Sequence, residues 1–188
     1  METSDQNAAV DALKDPEAFS VIIDRYRYQL SRYIQRLGAF DSDTTKDLLQ
    51  ESFIKVYLNL NDYKPSLSFS SWIYRITHNE VMMHFRYMRN RAQAFASEDA
   101  LTLFESIPDE LDIAVESDAR LRSMHIAKAL QRLKPEYREI LVLRFFEGKS
   151  YDEISDILEM APGTVATYIA RGKMALGKVL QEMNITSV

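Results

Sequence analysis

The chain has 188 residues, a net charge of −5 and a hydrophobic fraction of 46%. This length allows one or two small domains, and the apolar fraction is sufficient for a buried core. The chain contains no cysteine, which excludes disulfide frameworks, thiolate zinc sites and cysteine catalysis and fits a reducing cytosol. The acidic balance argues against a surface that binds nucleic acid everywhere, although it permits local basic faces.

The composition also predicts an all-α fold. There are only 5 glycines and 5 prolines, and alternating β-branched runs are few. No apolar run approaches the roughly 20 residues that a membrane helix needs. The first ten residues, METSDQNAAV, lack the basic-then-apolar pattern of a secretory signal.

The first predicted helix begins at Asp15-Pro16, where an N-cap residue precedes a proline suited to the first turn. Gly38 is its predicted end. Its apolar residues recur at helical spacing and are Phe19, Ile22, Ile23, Tyr26, Leu30, Ile34 and Leu37.

A second helix is predicted over residues 43–60, followed by a polar break around Pro65. Its predicted buried stripe is Leu49, Phe53, Val56 and Leu60. A third helical stretch holds Phe69, Trp72, Ile73 and Ile76 and continues through a predicted bend at residues 77–79.

The third stretch interleaves basic and aromatic residues, with Glu80 as its single acid over residues 68–91. Its basic residues include Arg75, Arg86, Arg89 and Arg91, and its rings include Trp72, Tyr74, Phe85 and Tyr87. Such a mixture is typical of surfaces that hold opened nucleic acid, because cations follow the backbone and rings stack on bases. For Trp72 and Ile76, which are spaced i and i+4, a core position is the better interpretation. His78 and His84 are too isolated to indicate a metal site.

Residues 92–119 carry eight acidic residues and neither lysine nor arginine. The acids are Glu98, Asp99, Glu105, Asp109, Glu110, Asp112, Glu116 and Asp118. The weak periodicity predicts an extended or partly disordered linker, and a solvated acidic loop without a role explains it equally well. We therefore predict a first helical domain over residues 1–92, a linker over 93–119 and a second helical domain over 120–188.

The second domain contains a predicted helical hairpin. Ser150 and Glu153 match a capping box, which predicts the start of a short helix. A turn at Met160-Ala161 follows, and Pro162 suits the first turn of the next helix.

That last helix has two unlike faces. Val165, Ile169 and Leu176 form a predicted buried stripe, whereas the rest of the helix is small, hydroxylated and basic. Small residues allow close approach to the major groove, and hydroxyls and arginine can contact bases or phosphates. The pattern fits a helix-turn-helix that reads DNA, and it also fits an ordinary antiparallel hairpin. The acids of the first hairpin helix are expected to face away from DNA or towards a protein.

No nucleophile–base pair, glycine-rich phosphate loop or HExxH motif is present, so the sequence does not indicate an enzyme, a cofactor or a metal. Four segments together resemble the sigma-70 family, specifically its extracytoplasmic-function (ECF) type with two conserved domains. They are DLLQESFIKVYLNL, FSSWIYRITHN, ALQRLKPEYREILVLRFFEGKSYDEISDIL and PGTVATYIARGKMAL, in the order that the family shows.

The resemblance implies a promoter-specificity subunit of RNA polymerase. In its first domain (σ2), the residues implied to bind the clamp helices of core polymerase are Asp47, Gln50, Glu51 and Tyr57. Those implied to open and hold the −10 promoter element are Arg75, His78, Asn79, Arg86, Tyr87 and Arg89. In its second domain (σ4), which also touches the polymerase flap, those implied to read the double-stranded −35 element are Thr164, Ala166, Thr167, Tyr168, Arg171 and Lys173.

The resemblance also implies an anti-sigma factor as a partner and a cytoplasmic location, with a membrane-bound anti-sigma factor as one route to the inner membrane. The sequence departs from the family where Ala166 and Tyr168 stand at positions that often carry a basic residue. We therefore expect a shifted or weaker −35 preference, with Thr167, Tyr168 and Arg171 carrying more of the recognition. The sequence departs again near Met83, where the family usually has an acid, and this departure leaves the base identity at −10 open.

Two alternatives to a promoter-specificity subunit are binding proteins. A sigma mimic would sequester an anti-sigma factor without binding DNA, but such mimics usually carry a receiver domain, and no α/β receiver pattern is present. A dimeric helix-turn-helix repressor would leave the linker and the basic, aromatic segment unexplained.

Overall fold

The computed structural model describes residues 4–38, 40–64, 68–95, 117–183 and 185. Every regular element in these ranges is helical, which confirms the all-α prediction. The α-helices are α1 (Asp5–Lys14), α2 (Phe19–Gly38), α3 (Ser42–Leu58), α4 (Phe69–Phe95), α5 (Ser117–Gln131), α6 (Pro135–Phe145), α7 (Tyr151–Leu158) and α8 (Pro162–Glu182). Short 3-10 turns cover Pro16–Ala18 and Leu60–Asp62. Within the described ranges, no helix is both long and apolar enough to cross a membrane.

The N-terminal half is a bundle in which α2, α3 and α4 pack against one another and α1 lies against α2 and α4. Leu30, Ile34, Val56 and Ile73 are completely buried at its centre. Trp72 is also buried, as a core role predicts. Removing these apolar surfaces from water is the main term that holds the bundle together.

Local capping signals position the helices of this bundle. The Asp15 carboxylate accepts a hydrogen bond from the Glu17 amide (3.0 Å), as predicted, although the proline opens a 3-10 turn before α2 rather than α2 itself. The Asp41 carboxylate caps α3 by accepting from the Thr44 amide (2.7 Å). This bond lowers the pKa of the Asp41 carboxyl. Helix α2 ends at Gly38, as predicted.

Three features of the N-terminal half differ from the sequence prediction. Helix α1 was missed, because its buried face consists of small alanines rather than a stripe of large apolar residues. Leu48 and Ser52 are buried on α3, whereas Leu49 is only half-buried. Helix α4 runs without interruption through residues 77–79, where the Thr77 hydroxyl donates to the Ile73 carbonyl (3.0 Å).

The C-terminal half packs α6 against α8, with α7 against both. Ile140, Leu143, Ile154 and Val165 are completely buried there. Residues 96–116, most of the predicted linker, lie outside the described residues. The helices on either side reach Phe95 and begin at Ser117, and the division into domains stays a prediction.

The two halves pack on each other along a surface that we call the seam, where α2 and α4 meet α5, α6 and α7. Arg138 of α6 sits in this seam. Its guanidinium donates to the Leu37 carbonyl at the end of α2 (2.6 Å) and to the Leu130, Gln131 and Leu133 carbonyls at the end of α5. Because helix ends leave carbonyls without intrahelical partners, one half-buried guanidinium satisfies carbonyls at the ends of two helices.

We expect Ser150→Ala to lower the free energy of unfolding by about 1 kcal/mol, since the α7 capping box loses the hydroxyl that accepts from the Glu153 amide. Urea unfolding followed by circular dichroism measures the change. Ser42→Ala, at an exposed first-turn position of α3, is the matched control and should change little. Equal losses in both variants would contradict the cap assignment.

Candidate nucleic-acid interface

Helices α7 and α8 form a helix-turn-helix. Ser150 accepts from the Glu153 amide (3.2 Å) while Glu153 accepts from the Ser150 amide (2.8 Å), which confirms the predicted capping box. Only residues 159–161 separate the two helices, a length typical of this motif. Glu159 takes the left-handed conformation (φ 53°) that ends α7, and Pro162 opens α8 as predicted.

One face of α8 is buried and the other is open to solvent. Val165, Ile169 and Gly172 are buried against the C-terminal core, whereas Leu176 is half-buried. Five of the predicted −35 residues are exposed, namely Thr164, Ala166, Thr167, Arg171 and Lys173. The sixth, Tyr168, is half-buried and packs its ring on Tyr137 (centroids 5.8 Å apart). This face therefore presents hydroxyls, small side chains and a guanidinium to solvent.

A glycine sets how closely α8 approaches α6. A Cβ on Gly172 would lie 3.2 Å from Cγ of Leu141, closer than an ordinary contact. The absence of a side chain lets the two helices pack tightly and fixes the height of the exposed face. The sequence pattern did not reveal this role.

The predicted −10 residues share helix α4 but differ in exposure. Asn79, Arg86, Tyr87 and Arg89 are exposed. Arg75 and His78, in contrast, turn into the seam: Arg75 lies 3.6 Å from the Glu159 carboxylate, and His78 Nε2 lies 3.3 Å from Glu139 Oε2. Arg75, Asn79 and Arg86 are spaced i, i+4 and i+11 and therefore lie on one stripe of α4. The seam covers this stripe at Arg75 and leaves it exposed at Asn79 and Arg86.

Helix α3 presents the predicted polymerase-binding residues. Asp47, Gln50 and Glu51 are exposed, and Tyr57 is 41% exposed with the edge of its ring against Phe19. Two apolar residues missed by the sequence analysis continue the same stripe. Ile54 is 42% exposed and Leu58 is 68% exposed, at i+7 and i+11 from Asp47. Their spacing outside the core stripe was the signal that could have revealed them.

At the centre of the seam lies the carboxylate of Glu147, whose side chain is only 5% exposed. It accepts from the Arg36 guanidinium of α2 (3.0 Å) and from the Tyr74 hydroxyl of α4 (2.7 Å). Burial and the adjacent carboxylate raise the pKa of the Tyr74 phenol well above its ordinary value. Tyr74 therefore stays a hydrogen-bond donor to Glu147.

Lys149 brings a second buried charge to the seam. Its ammonium donates to the Ser70 hydroxyl of α4 (2.6 Å) and lies 4.1 Å from the centre of the Tyr74 ring. Burial lowers the pKa of the Lys149 ammonium, while the carboxylates of Glu153 and Glu147 act against that effect. Each charge at this point of the seam thus has a partner on the opposite half.

No group of three or more potential metal ligands occurs among the described residues. The basic and hydroxylated faces of α4 and α8 can bind phosphates and base edges, and the acidic and apolar stripe of α3 can bind a protein.

Comparison with known proteins identifies the class. Residues 22–91 match the family model for Sigma-70 region 2, and residues 123–176 match that for Sigma-70, region 4. The chain therefore belongs to the sigma-70 family of sigma factors, which are transcription initiation factors and not enzymes.

Within that family it is of the ECF type, as the resemblance implied. The ECF RNA polymerase sigma factor SigW of Bacillus subtilis is 29% identical, with 90% of this chain and 92% of the relative covered. The RNA polymerase sigma-H factor of Pseudomonas aeruginosa is 32% identical, with 90% of this chain and 89% of the relative covered.

Two solved structures share the fold over most of the chain. One is CnrH in complex with the cytosolic domain of CnrY, with a TM-score of 0.69, 22% identity and coverage of 93% of this chain and 96% of that chain. The other is the sigma factor RpoE in complex with the anti-sigma factor NepR from Bartonella quintana, with a TM-score of 0.69, 21% identity and coverage of 87% and 96%.

We expect opposite effects from two glycine replacements on α8. Gly177→Ala should raise the free energy of unfolding by about 0.5–1 kcal/mol, because the position is helical and a Cβ there meets nothing within 4 Å. Gly172→Val should lower it by about 1–3 kcal/mol, because the added methyls press on Leu141. Urea unfolding compares the two, and a stabilising Gly172→Val would contradict the close α6–α8 approach.

Proposed function

We propose that this ECF-type chain binds core RNA polymerase and directs promoter-specific transcription initiation, reading the −35 element with α8 and opening the −10 element with α4. The observation that carries the proposal is the exposed face of α8. Within a helix-turn-helix, the second helix enters the major groove, and here Thr164, Thr167 and Arg171 are exposed on that helix.

Helix α4 supplies the proposed −10 contacts. Asn79, Arg86 and Arg89 can contact phosphates or base edges, and the 60%-exposed ring of Tyr87 can stack on an unstacked base. Arg75 and His78 join them only when region 4 releases them. We therefore assign promoter melting to α4, which presents exposed arginines and the exposed ring of Tyr87.

Helix α3 supplies the proposed contact with the clamp helices of polymerase. Asp47, Gln50 and Glu51 offer charge and hydrogen bonds, and Ile54 and Leu58 add apolar area to the same stripe. Exposed apolar residues beside charged ones are typical of protein interfaces. Tyr57 lies at the edge of this stripe. We assign contact with the polymerase flap to region 4 rather than to α3.

An anti-sigma factor is a further proposed partner. The support is that CnrH and RpoE, which share the fold, were each solved with a bound partner, and for RpoE that partner is an anti-sigma factor. The proposed partners would locate the chain in the cytoplasm, or at the inner membrane when the anti-sigma factor is membrane-bound.

Because Ala166 and Tyr168 stand where the family often has a basic residue, we propose a shifted −35 preference in which Thr167, Tyr168 and Arg171 carry more of the recognition.

In vitro transcription tests the proposal. The purified chain is added to sigma-free bacterial core polymerase on a fragment library of its own genome. Start sites that share −35 and −10 sequences support the proposal and give the promoter. Polymerase binding without initiation would contradict the promoter-reading part, and the absence of both would favour a mimic that only sequesters an anti-sigma factor.

On the promoter so identified, Arg171→Ala and Arg86→Ala should each reduce transcription about tenfold or more, because a good arginine–base contact is worth about 1–3 kcal/mol. Affinity for core polymerase should stay at the wild-type value. Lys128→Ala, an exposed cation on α5, is the control and should leave transcription unchanged. Unchanged transcription in both arginine variants would contradict the assignment of DNA contacts.

Leu58→Ala should weaken binding to core polymerase about tenfold, because burying an exposed leucine contributes about 1.5–3 kcal/mol. Tyr28→Ala is the matched control, since Tyr28 is a comparably exposed apolar residue (59%) on α2. Fluorescence anisotropy of the labelled chain measures both affinities. Equal weakening by the two variants would show that the α3 stripe has no special role.

A further inference from the structure

We propose that Met83 of α4 is a specificity-determining residue, which selects a thymine in the opened −10 element through apolar contact with the methyl group of that base. The inference deepens the proposed function and rests on it, because it concerns a base contact made by the same helix. It adds a residue outside the predicted −10 contacts and the kind of base that this residue prefers.

The first observation is that α4 leaves two neighbouring apolar side chains uncovered. Within residues 69–91, the large apolar side chains that are exposed are Met83 (45%) and Tyr87 (60%), whereas Ile73 and Val81 of the same helix are completely buried. A single exposed methionine would need no explanation. Two exposed apolar residues one turn apart form a continuous small surface, and the core does not use it.

The second observation is the company that Met83 keeps. Asn79, Met83 and Tyr87 are spaced i, i+4 and i+8 and therefore lie along one face of α4, with Arg86 beside them. All four residues are exposed. Phosphate oxygens need hydrogen-bond donors or cations, and a thioether is neither. At Met83 this face is therefore built to contact a base rather than the DNA backbone.

The third observation is that the acid of this helix segment is withdrawn from solvent. Glu80 is the single acid over residues 68–91, and its side chain is only 7% exposed. Its carboxylate accepts from the Lys55 ammonium of α3 (2.6 Å). The pairing ties Glu80 to the neighbouring helix, so the face around Met83 offers no carboxylate to a base.

These observations decide which base suits Met83. On the edge that carries C4 and C5, thymine has a methyl group that apolar side chains contact, whereas cytosine has an amino donor that an acid accepts from. The methionine side chain is apolar and adaptable, and its sulfur is only a weak acceptor. Thymine therefore gains apolar contact at Met83, while cytosine leaves its amino group poorly paired. Tyr87 can stack on a neighbouring base.

The experiment uses the complete chain with sigma-free core polymerase on the promoter identified above. The −10 element is randomised, and a barcode downstream of the start site links each transcript to its −10 sequence. Met83→Leu keeps an apolar side chain, Met83→Ala removes most of it, and Met83→Glu supplies an acceptor. Val21→Glu is the matched control, because it adds an acid at a comparably exposed apolar residue (43%) on α2.

We expect the wild type to prefer thymine to cytosine about fivefold or more at one −10 position, the discrimination expected of a single base contact. Met83→Leu should keep this preference, Met83→Ala should abolish it, and Met83→Glu should reverse it towards cytosine at that position alone. Val21→Glu should show the wild-type preference. Base preferences at the other −10 positions should stay unchanged, which separates a lost contact from a damaged helix.

The inference is overturned if Met83→Ala and Met83→Glu keep the wild-type base preferences, or if they lower initiation equally on every −10 sequence. In both cases the proposed function stands, because the chain still initiates at its promoter. Failure of the wild type to initiate anywhere would instead contradict the proposed function and remove the inference with it.

Discussion

A buried charge has to be paired, and this constraint governs how the two halves of the chain meet. Glu147, Lys149 and Arg138 all lie in the seam, and each finds its partner on the other half. An unpaired buried carboxylate or ammonium would cost several kcal/mol. The contacts are therefore interdependent, because the Arg36 guanidinium and the Tyr74 hydroxyl donate to the same carboxylate of Glu147.

Apolar burial accompanies these polar contacts in both halves of the chain. Leu30 and Ile73 are buried within the N-terminal bundle, and Ile140 and Ile154 within the C-terminal one. The buried apolar residues of the two halves nevertheless belong to one continuous cluster. The polar contacts of the seam therefore add to an apolar contact that already joins the halves. A net charge of −5 is compatible with the proposed DNA binding, because exposed cations lie on particular faces of α4 and α8.

Signals confined to a few residues could be predicted from the sequence. The Ser150–Glu153 capping box and Pro162 gave the helix-turn-helix because a cap involves groups within one turn. Helix α1 was not predicted, because its buried residues are alanines, which give only a weak apolar pattern. The close approach at Gly172 depends on Leu141, a residue on another helix. The pairing of His78 with Glu139 joins positions 61 residues apart, so no local pattern could indicate it.

One acid of the helix-turn-helix, Glu159, has a partner across the seam. Helix α7 packs on α4, and Glu159 at its end faces Arg75 of the same chain. The Glu159 carboxylate is thus directed at the Arg75 guanidinium, with which it forms an ion pair. The exposed face of α8 takes no part in the seam, so duplex DNA can meet Arg171 while the regions remain closed. Under the proposed function, Arg75 and His78 would reach promoter DNA only after their contacts with Glu159 and Glu139 are broken, because those carboxylates lie against the same side chains.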